Sequence, residues 1–207
     1  MDRLGAAIYD RFMSESEAAC LRQWREELLQ HADGLVLEIG AGTGANLPFY
    51  PPRVTGLIAT EPSPHMTRRI DVSAYMGQGG VELVEASAEA LPLKDNSVDT
   101  VVSTLVLCTV RDTASALREI RRVLKPGGRL LFLEHVASKD LDRLRWQRRL
   151  EPLWALVMGG CHLTRDTARA IEDIGFEITS CSRESMRKAL PIVRPTIRGV
   201  AVKTSCR

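Results

Sequence analysis

Val36-Leu37-Glu38-Ile39-Gly40-Ala41-Gly42-Thr43-Gly44 carries an apolar run directly into three glycines at alternate positions. Short apolar runs of this kind are typical of a buried β-strand. A glycine has no Cβ, so the chain can turn sharply there and let a ligand come close to the backbone. This stretch therefore predicts a strand that ends in a loop for nucleotide-like ligands in general.

Strand and helix patterns alternate on both sides of this loop. Apolar runs predict strands at 54–59, 81–86, 98–104, 129–136, 176–182 and 197–203. Helical periodicity predicts helices at 15–31, 64–75, 114–124, 139–157 and 165–174, with Pro126-Gly127-Gly128 stopping the third and Thr164 capping the last. Strands that alternate with helices pair in parallel. The predicted fold is α/β: a Rossmann-like, doubly wound, mostly parallel seven-stranded sheet with an antiparallel terminal strand and an N-terminal helical segment.

Length and composition predict a single domain. A chain of 207 residues, 44% of them hydrophobic, can bury one substantial core but hardly two. We divide this domain, 1–207, into four parts: an N-terminal helical cap (1–33), a cofactor-binding core (34–136), a lid-like helical insert (137–163) and a C-terminal helix with a strand pair (164–207).

Charge and cysteine content narrow the range of partners and environments. A net charge of +2 gives little electrostatic reason to expect nucleic acid. The five cysteines are scattered without zinc-type spacing, so we expect no metal, and reduced thiols favour a cytoplasmic protein. The chain has no apolar run typical of a signal peptide or a bilayer span, so we expect no integral membrane segment. The oligomeric state stays open.

Polar residues stand where the predicted strands end. Ligands of an open parallel sheet bind beyond the carboxyl ends of its strands. Glu38 ends the first strand, and Glu61, 21 residues beyond Gly40, follows the second. A carboxylate at that remove can accept hydrogen bonds from both hydroxyls of a ribose. The later strands are followed by Ser87-Ala88-Glu89, then by Thr104, and finally by Glu134-His135.

Two cofactor classes compete for the glycine loop, the nicotinamide dinucleotides and S-adenosylmethionine. Residues 40–45 also satisfy the looser G-x-G-x-x-A dinucleotide pattern. However, no tyrosine is followed four positions later by lysine, the pair that short-chain dehydrogenases use. Glu38 would also repel a pyrophosphate, whereas it would attract the ammonium group of a methionine moiety. The sequence therefore favours S-adenosylmethionine.

Several motifs resemble those of class I S-adenosylmethionine-dependent methyltransferases, namely residues 38–44, 90–99 and 124–128. A closer resemblance, to the membrane-associated alkyl-thiol methyltransferases (the methyltransferase-like seven group, with a methyltransferase type 11 domain), extends from about residue 35 to residue 203. It runs through Gly44-Ala45-Asn46, Phe49-Tyr50-Pro51-Pro52, Thr104-Leu105-Val106-Leu107-Cys108, Glu134-His135-Val136, Leu163-Thr164-Arg165 and Val193-Arg194-Pro195. Members of that group carry an apolar N-terminal membrane anchor; we expect this chain to be a relative without one.

The resemblance implies a set of cofactor contacts and two departures from the family pattern. Ser87 stands where many class I enzymes have aspartate, so the backbone around Ala88 and Glu89 would meet the adenine. Glu61 replaces the aspartate that usually binds the ribose in the thiol group, a change of reach but not of chemistry. The implied contacts are Glu38, Gly40, Gly42, Gly44, Asn46, Glu61, Ser87, Ala88, Glu89 and Thr104.

The resemblance also implies an enzyme that transfers a methyl group to a small-molecule nucleophile, preferably a thiol. A thiol with a pKa of about 8.5 is only a few per cent ionised at neutral pH, while its anion is the reactive species. We take His135 as the acid/base candidate that removes the proton or holds the thiolate. The predicted walls of an apolar acceptor pocket are Trp146, Trp154 and the segment around Tyr9 and Phe12.

Other activities stay open at this point. The acceptor could instead be an oxygen or carbon of a quinone-like or polyketide-like molecule. RNA methylation would need the arginines between 143 and 149 as a docking surface, although such a run is usually a solvated helix face. A cofactor-binding module without catalysis is the third alternative. Cys161 and His162 are interpreted as structural.

Overall fold

A seven-stranded sheet forms the centre of the computed structural model, which describes residues 14–204. The strands are β1 Gly34–Ile39, β2 Val54–Thr60, β3 Val81–Val84, β4 Val98–Thr104, β5 Leu124–His135, β6 Phe176–Ser185 and β7 Pro195–Lys203. They lie in the order β3-β2-β1-β4-β5-β7-β6. Strands β1 to β5 are parallel, and β7 is antiparallel to both β5 and β6. The predicted mostly parallel sheet with an antiparallel terminal strand is confirmed.

Helices cover the two faces of this sheet. The first is already α-helical at residues 14–16, passes through one π-helical turn at Glu17–Leu21 and continues as an α-helix. The α-helices of the described residues are α1 Arg22–Leu29, α2 Pro64–Thr67, α3 Thr113–Val123, α4 Leu141–Val157 and α5 Thr167–Asp173. No helix within residues 14–204 is long and apolar enough to cross a membrane.

The predicted helix at 64–75 is wrong in its extent. Only Pro64–Thr67 is helical, and a separate 3₁₀ turn follows at Val72–Ala74. The carboxylate of Asp71 accepts a hydrogen bond from the backbone N–H of Ser73 (3.0 Å). Aspartate side chains that bond nearby backbone in this way compete with continuation of a helix. The helix therefore does not continue through Asp71, which instead caps the 3₁₀ turn.

Two predicted helix ends also shift. Helix α3 ends at Val123, because Leu124 is already extended and pairs with Val98 as the first residue of β5. Pro126-Gly127-Gly128 therefore lies inside β5, where the register with β4 is irregular, instead of ending a helix. Helix α5 is capped by Asp166, whose carboxylate accepts from the N–H of Arg169, and not by Thr164 as predicted.

Alternation along the strands builds a core on each face of the sheet. Within β1, Val36 faces one cluster, with Leu21 and Leu28 of the first helix, while Leu37 faces the other. That second cluster holds the buried residues of α3 and α5, including Leu117, Ile120 and Ile171. Because both faces are covered, the carboxyl ends of β1 to β5 form the edge where polar side chains collect.

Candidate active site

The glycine loop after β1 turns through left-handed backbone. Gly40, Gly42 and Gly44 have φ values of 57°, 60° and 86°. A Cβ on Gly40 would lie 2.6 Å from Cγ2 of Val106, so a side chain there would clash with the loop after β4. A Cβ on Gly42 would come within 4 Å only of Cε of Met66, at 3.8 Å, among the described atoms. The backbone of Gly42 is therefore open to a ligand.

Glu61 lies against this loop, as its spacing from Gly40 predicted. One carboxylate oxygen accepts a hydrogen bond from the N–H of Gly42 (3.0 Å), and the other accepts from the N–H of Ser63 (2.9 Å). The residue is 8% exposed. Each oxygen keeps a second lone pair, so the carboxylate can also accept hydrogen bonds from a ligand beside the loop.

Glu38 is buried at the end of β1 between two side-chain donors. The phenol of Tyr50 donates to one carboxylate oxygen (2.7 Å), and the amide of Asn46 donates to the other (2.9 Å). Burial raises the pKa of Glu38, while the hydrogen bonds from Tyr50 and Asn46 and the charge of Arg25 oppose that rise. The predicted pair Glu38 and Asn46 is in contact, and Tyr50, quoted only within a motif, joins it.

Arg25 is a site residue that the sequence analysis missed. Its guanidinium donates from one nitrogen to Oδ1 of Asn46 and to Oγ1 of Thr104, both at 2.9 Å. The rest of the group pairs with Glu17 at 2.9 Å, and Arg25 is only 5% exposed. The signal was present: Arg25 stands on the buried face of a helix beside Leu21 and Leu28, where an arginine needs a partner.

The segment after β3 is held by its own carboxylate. Glu89 accepts a hydrogen bond from the hydroxyl of Ser87 (2.7 Å) and another from the N–H of Arg111 (2.9 Å), in the segment between β4 and α3. Burial raises the pKa of Glu89, but these hydrogen bonds outweigh it and hold the pKa below its usual range. Ala88 between them is buried. The carboxylate of Glu89 therefore joins the segments that follow β3 and β4.

Glu134 is the second residue whose importance the sequence analysis missed. It is fully buried at the end of β5 and accepts hydrogen bonds from the Ser103 hydroxyl (2.6 Å) and from the N–H groups of Val106 (3.2 Å) and Cys108 (3.1 Å). Burial raises its pKa against these bonds. We call residues 105–110 the β4 exit loop; Leu105 there adopts a φ of 61°. Glu134 supplies the acceptors that shape this loop.

The β4 exit loop is also held from the opposite side, by residues beyond α4. Arg165 donates to the carbonyl oxygens of Leu107 and Val110, both at 2.6 Å. The backbone N–H of His162 donates to the backbone carbonyl of Cys108 at 2.7 Å. His162 also pairs with Glu151 of α4 (3.1 Å). These contacts agree with a structural interpretation of His162.

His135 follows Glu134 at the end of β5, so its side chain lies on the opposite face of the sheet, the face of Leu131 and Leu133. It is 5% exposed and pairs with Thr196 in the ladder. Burial lowers its pKa to about 4, although a hydrogen bond with the backbone of Val193 opposes the shift. Its Nδ1 is buried and has no hydrogen-bond partner among the described residues. The imidazole is therefore neutral at physiological pH, with one nitrogen lone pair unused. Its catalytic role stays a prediction.

The two tryptophans that the sequence predicted as walls of the acceptor pocket differ in their surroundings. Trp154 of α4 is partly buried against the core cluster that includes Cys161. Trp146 is 55% exposed, and the guanidinium of Arg149 lies 5.7 Å from its ring centroid. Tyr9 and Phe12 fall outside the described residues. Trp154 is thus the one member of the predicted set that packs inward within residues 14–204.

Comparisons with known proteins find methyltransferases. A family model described as a methyltransferase domain matches residues 37–132. Human thiol S-methyltransferase TMT1A is 40% identical over 174 residues, covering 81% of this chain and 70% of the relative. Rat thiol S-methyltransferase TMT1B is 42% identical over 176 residues with the same coverage. The crystal structure of an S-adenosylmethionine-dependent methyltransferase from Thermotoga maritima superposes with a TM-score of 0.70 at 21% identity, covering 96% of this chain and 95% of that chain.

Proposed function

This chain belongs to the family of S-adenosylmethionine-dependent methyltransferases that includes the thiol S-methyltransferases TMT1A and TMT1B, and we propose that it methylates the sulfur of a small apolar thiol. The observation that carries this choice of acceptor is the identity of about 40% to several thiol S-methyltransferases over most of the chain. An oxygen or carbon acceptor of a quinone-like or polyketide-like molecule is the alternative.

The residues at the sheet edge fit the cofactor of this family. In the proposal, Glu38 and Asn46 bind the amine of the methionine moiety. Glu61 binds the ribose, since a carboxylate has enough lone pairs to accept hydrogen bonds from both ribose hydroxyls. Gly40, Gly42 and Gly44 let the ligand approach the backbone, Thr104 contacts the methionine end, and Ser87, Ala88 and Glu89 border the adenine. When bound, the cofactor supplies a methyl group on a positively charged sulfur, which needs no further activation.

What the acceptor needs is alignment and the loss of its proton. Holding a nucleophile and the methyl group in line can supply roughly 7–11 kcal/mol of the barrier reduction. In the proposal, Nδ1 of His135 accepts the thiol proton as sulfur attacks the methyl carbon, because this nitrogen is buried and unpartnered. Because its pKa is lowered to about 4, His135 is uncharged at neutral pH and does not hold a preformed thiolate by a positive charge.

The remaining parts of the proposal concern the lid and the compartment. The insert 137–163 contains α4, and the contact of His162 with the β4 exit loop supports a role for this insert as a lid over the acceptor. Cys20, Cys108, Cys161 and Cys181 are free thiols, which favours a reducing compartment such as the cytoplasm.

The test is a screen for methyl transfer from isotope-labelled S-adenosylmethionine to thiols, phenols and quinols, read by mass spectrometry. We expect labelled S-methyl products from alkyl or aryl thiols and at most traces from the oxygen and carbon acceptors. Labelled phenol or quinol products without any S-methyl product would replace the thiol by the alternative acceptor. A Glu38→Gln variant in the same screen, at an S-adenosylmethionine concentration near the wild-type Kd, should lose most of the product that depends on this site.

A further inference from the structure

Cys108 and Cys161 form a buried pair of thiols that neither the cofactor nor the acceptor chemistry uses. They are 53 residues apart in the chain, yet their sulfur atoms lie 3.9 Å apart and share a hydrogen bond. Cys108 belongs to the β4 exit loop, and Cys161 follows α4. They are 1% and 7% exposed. The fold therefore brings two reactive groups from distant segments together within the protein.

The two thiols differ in acidity in the way that thiol–disulfide exchange needs. The hydrogen bond with Cys108 lowers the pKa of Cys161, helped by the Trp154 indole and the charge of Arg165 and opposed by burial and the charge of Glu134. The same hydrogen bond, together with burial and the charge of Glu134, raises the pKa of Cys108. Cys161 is also the more exposed of the two, at 7% against 1%. Since the thiolate is the nucleophile in exchange, we assign Cys161 as the attacking sulfur and Cys108 as the resolving one.

The backbone around the pair supports a small closing movement. A disulfide has an S–S distance of about 2.05 Å, so the sulfurs must approach by roughly 2 Å. Gly159 and Gly160, just before Cys161, have φ values of 63° and 96°, in a turn beside the carbonyl of Thr109. Glycines adopt such angles freely, so this turn can absorb the movement.

We propose that Cys108 and Cys161 are a redox modification site, which a small organic disulfide converts to an intramolecular disulfide that stops methyl transfer. The Cys161 thiolate attacks one sulfur of the organic disulfide and releases its other half as a thiolate. Cys108 then loses its proton and attacks Cys161, which releases the second half. The organic disulfide is reduced to two thiols while the two cysteines are oxidised.

The bond would reach the active site through the β4 exit loop. The N–H of Cys108 donates to Glu134, and Val106 of the same loop packs where a Cβ of Gly40 would be. Fixing Cys108 to the segment after α4 therefore displaces or locks the loop that borders the glycine loop. A low-molecular-weight disulfide is the oxidised form of a small thiol, so the modification would respond to the oxidation state of that thiol pool.

The experiment treats the full chain with 2-hydroxyethyl disulfide, removes the reagent and alkylates the remaining thiols. Before alkylation we expect an intact mass two hydrogens below that of the reduced chain for the cross-linked form. After alkylation we expect two fewer alkyl groups than on the reduced chain and a digest that contains the Cys108–Cys161 linked peptide. Methyl transfer should fall at least tenfold and recover after treatment with a phosphine reductant, which is not itself a thiol acceptor. Cys181→Ser, which removes an exposed cysteine on β6, should behave like the wild type.

Cys161→Ser and Cys108→Ser should give no cross-link. Treatment with 2-hydroxyethyl disulfide should leave the activity of each variant equal to that of the same variant without treatment. Modification confined to Cys181, with Cys108 and Cys161 still open to alkylation after unfolding, would overturn the proposal. A complete cross-link with unchanged turnover would show that the Cys108–Cys161 disulfide does not stop methyl transfer. The mass readout does not depend on the acceptor, so a failure of the thiol assignment is distinguishable from a failure of this site.

Discussion

Glu38 and Glu134 are both buried carboxylates at the same sheet edge, on the two strands that flank β4, yet their partners differ. Glu38 accepts hydrogen bonds from the side chains of Tyr50 and Asn46. Glu134 accepts mainly from backbone N–H groups of the β4 exit loop. Side-chain donors can turn toward other acceptors when a ligand arrives, whereas backbone donors of a folded loop cannot. Glu38 is thus suited to binding, and Glu134 to holding the protein's own chain.

The sharpest test of this difference is Glu134→Gln. The amide replaces one of the two acceptor oxygens by an NH₂ group, so one or two of the three N–H groups that bond this carboxylate, those of Val106, Leu107 and Cys108, lose their partner and face another donor. We expect a loss of about 4 kcal/mol in the free energy of unfolding, since each buried unpaired group costs roughly 1–3 kcal/mol. Urea unfolding measures it, with Glu38→Gln as the matched control at less than about 1 kcal/mol. Equal losses for the two variants would break the comparison.

His135 extends the comparison to a buried group that is neutral. Its pKa is lowered to about 4, so folding favours the uncharged imidazole. The corresponding stability is fully present above the unfolded pKa of about 6.5 and is lost as the pH falls toward 4, a change of about 3 kcal/mol. We expect wild type to lose that much more than His135→Gln between pH 6.5 and 4 in urea unfolding. Parallel pH profiles for the two proteins would contradict the shift.

Glu38→Gln tests the binding side of the comparison. Removal of the charge weakens the hydrogen bond to the ligand ammonium by about 2 kcal/mol, or roughly 30-fold in Kd. Isothermal titration with S-adenosylhomocysteine, which keeps the amine but has no methyl group to transfer, measures this loss. An unchanged Kd would show that Glu38 does not meet the amine.

Tyr50→Phe gives the smallest expected effect. The ring is almost fully buried, so phenylalanine keeps the packing and removes only the hydrogen bond to Glu38. We expect a loss of about 1 kcal/mol in binding S-adenosylhomocysteine, or roughly fivefold in Kd. The titration used for Glu38→Gln applies, and a larger loss than that variant shows would place Tyr50 in direct contact with the ligand.

The sequence analysis identified the residues of the candidate site that lie close together in the chain. Glu38, the glycines and Asn46 lie within one short stretch, and Glu61 follows at a spacing that the strand–helix–strand unit sets. Continuous apolar runs likewise located the strands, because burial on both faces of a sheet selects apolar residues along the whole strand.

What the sequence did not predict depends on contacts across long separations. Arg25 reaches Thr104, 79 residues away, and Glu134 reaches Ser103, 31 residues away. Neither partner is visible from local spacing. The error at 64–75 had a different cause, since Asp71 offers the backbone a competing hydrogen bond that helical periodicity does not register.

Arg25 couples the stability of the first helix to the occupancy of the proposed cofactor site. The guanidinium of Arg25 donates hydrogen bonds to Asn46 and Thr104, so it fixes α1 against two residues of the proposed cofactor site. Whatever strengthens that contact also slows local opening of α1, by mass action. Amide hydrogen exchange in Arg22–Leu29 would then be slower when the cofactor is bound than when its site is empty. In a cell with little methyl donor, this helix would open more often.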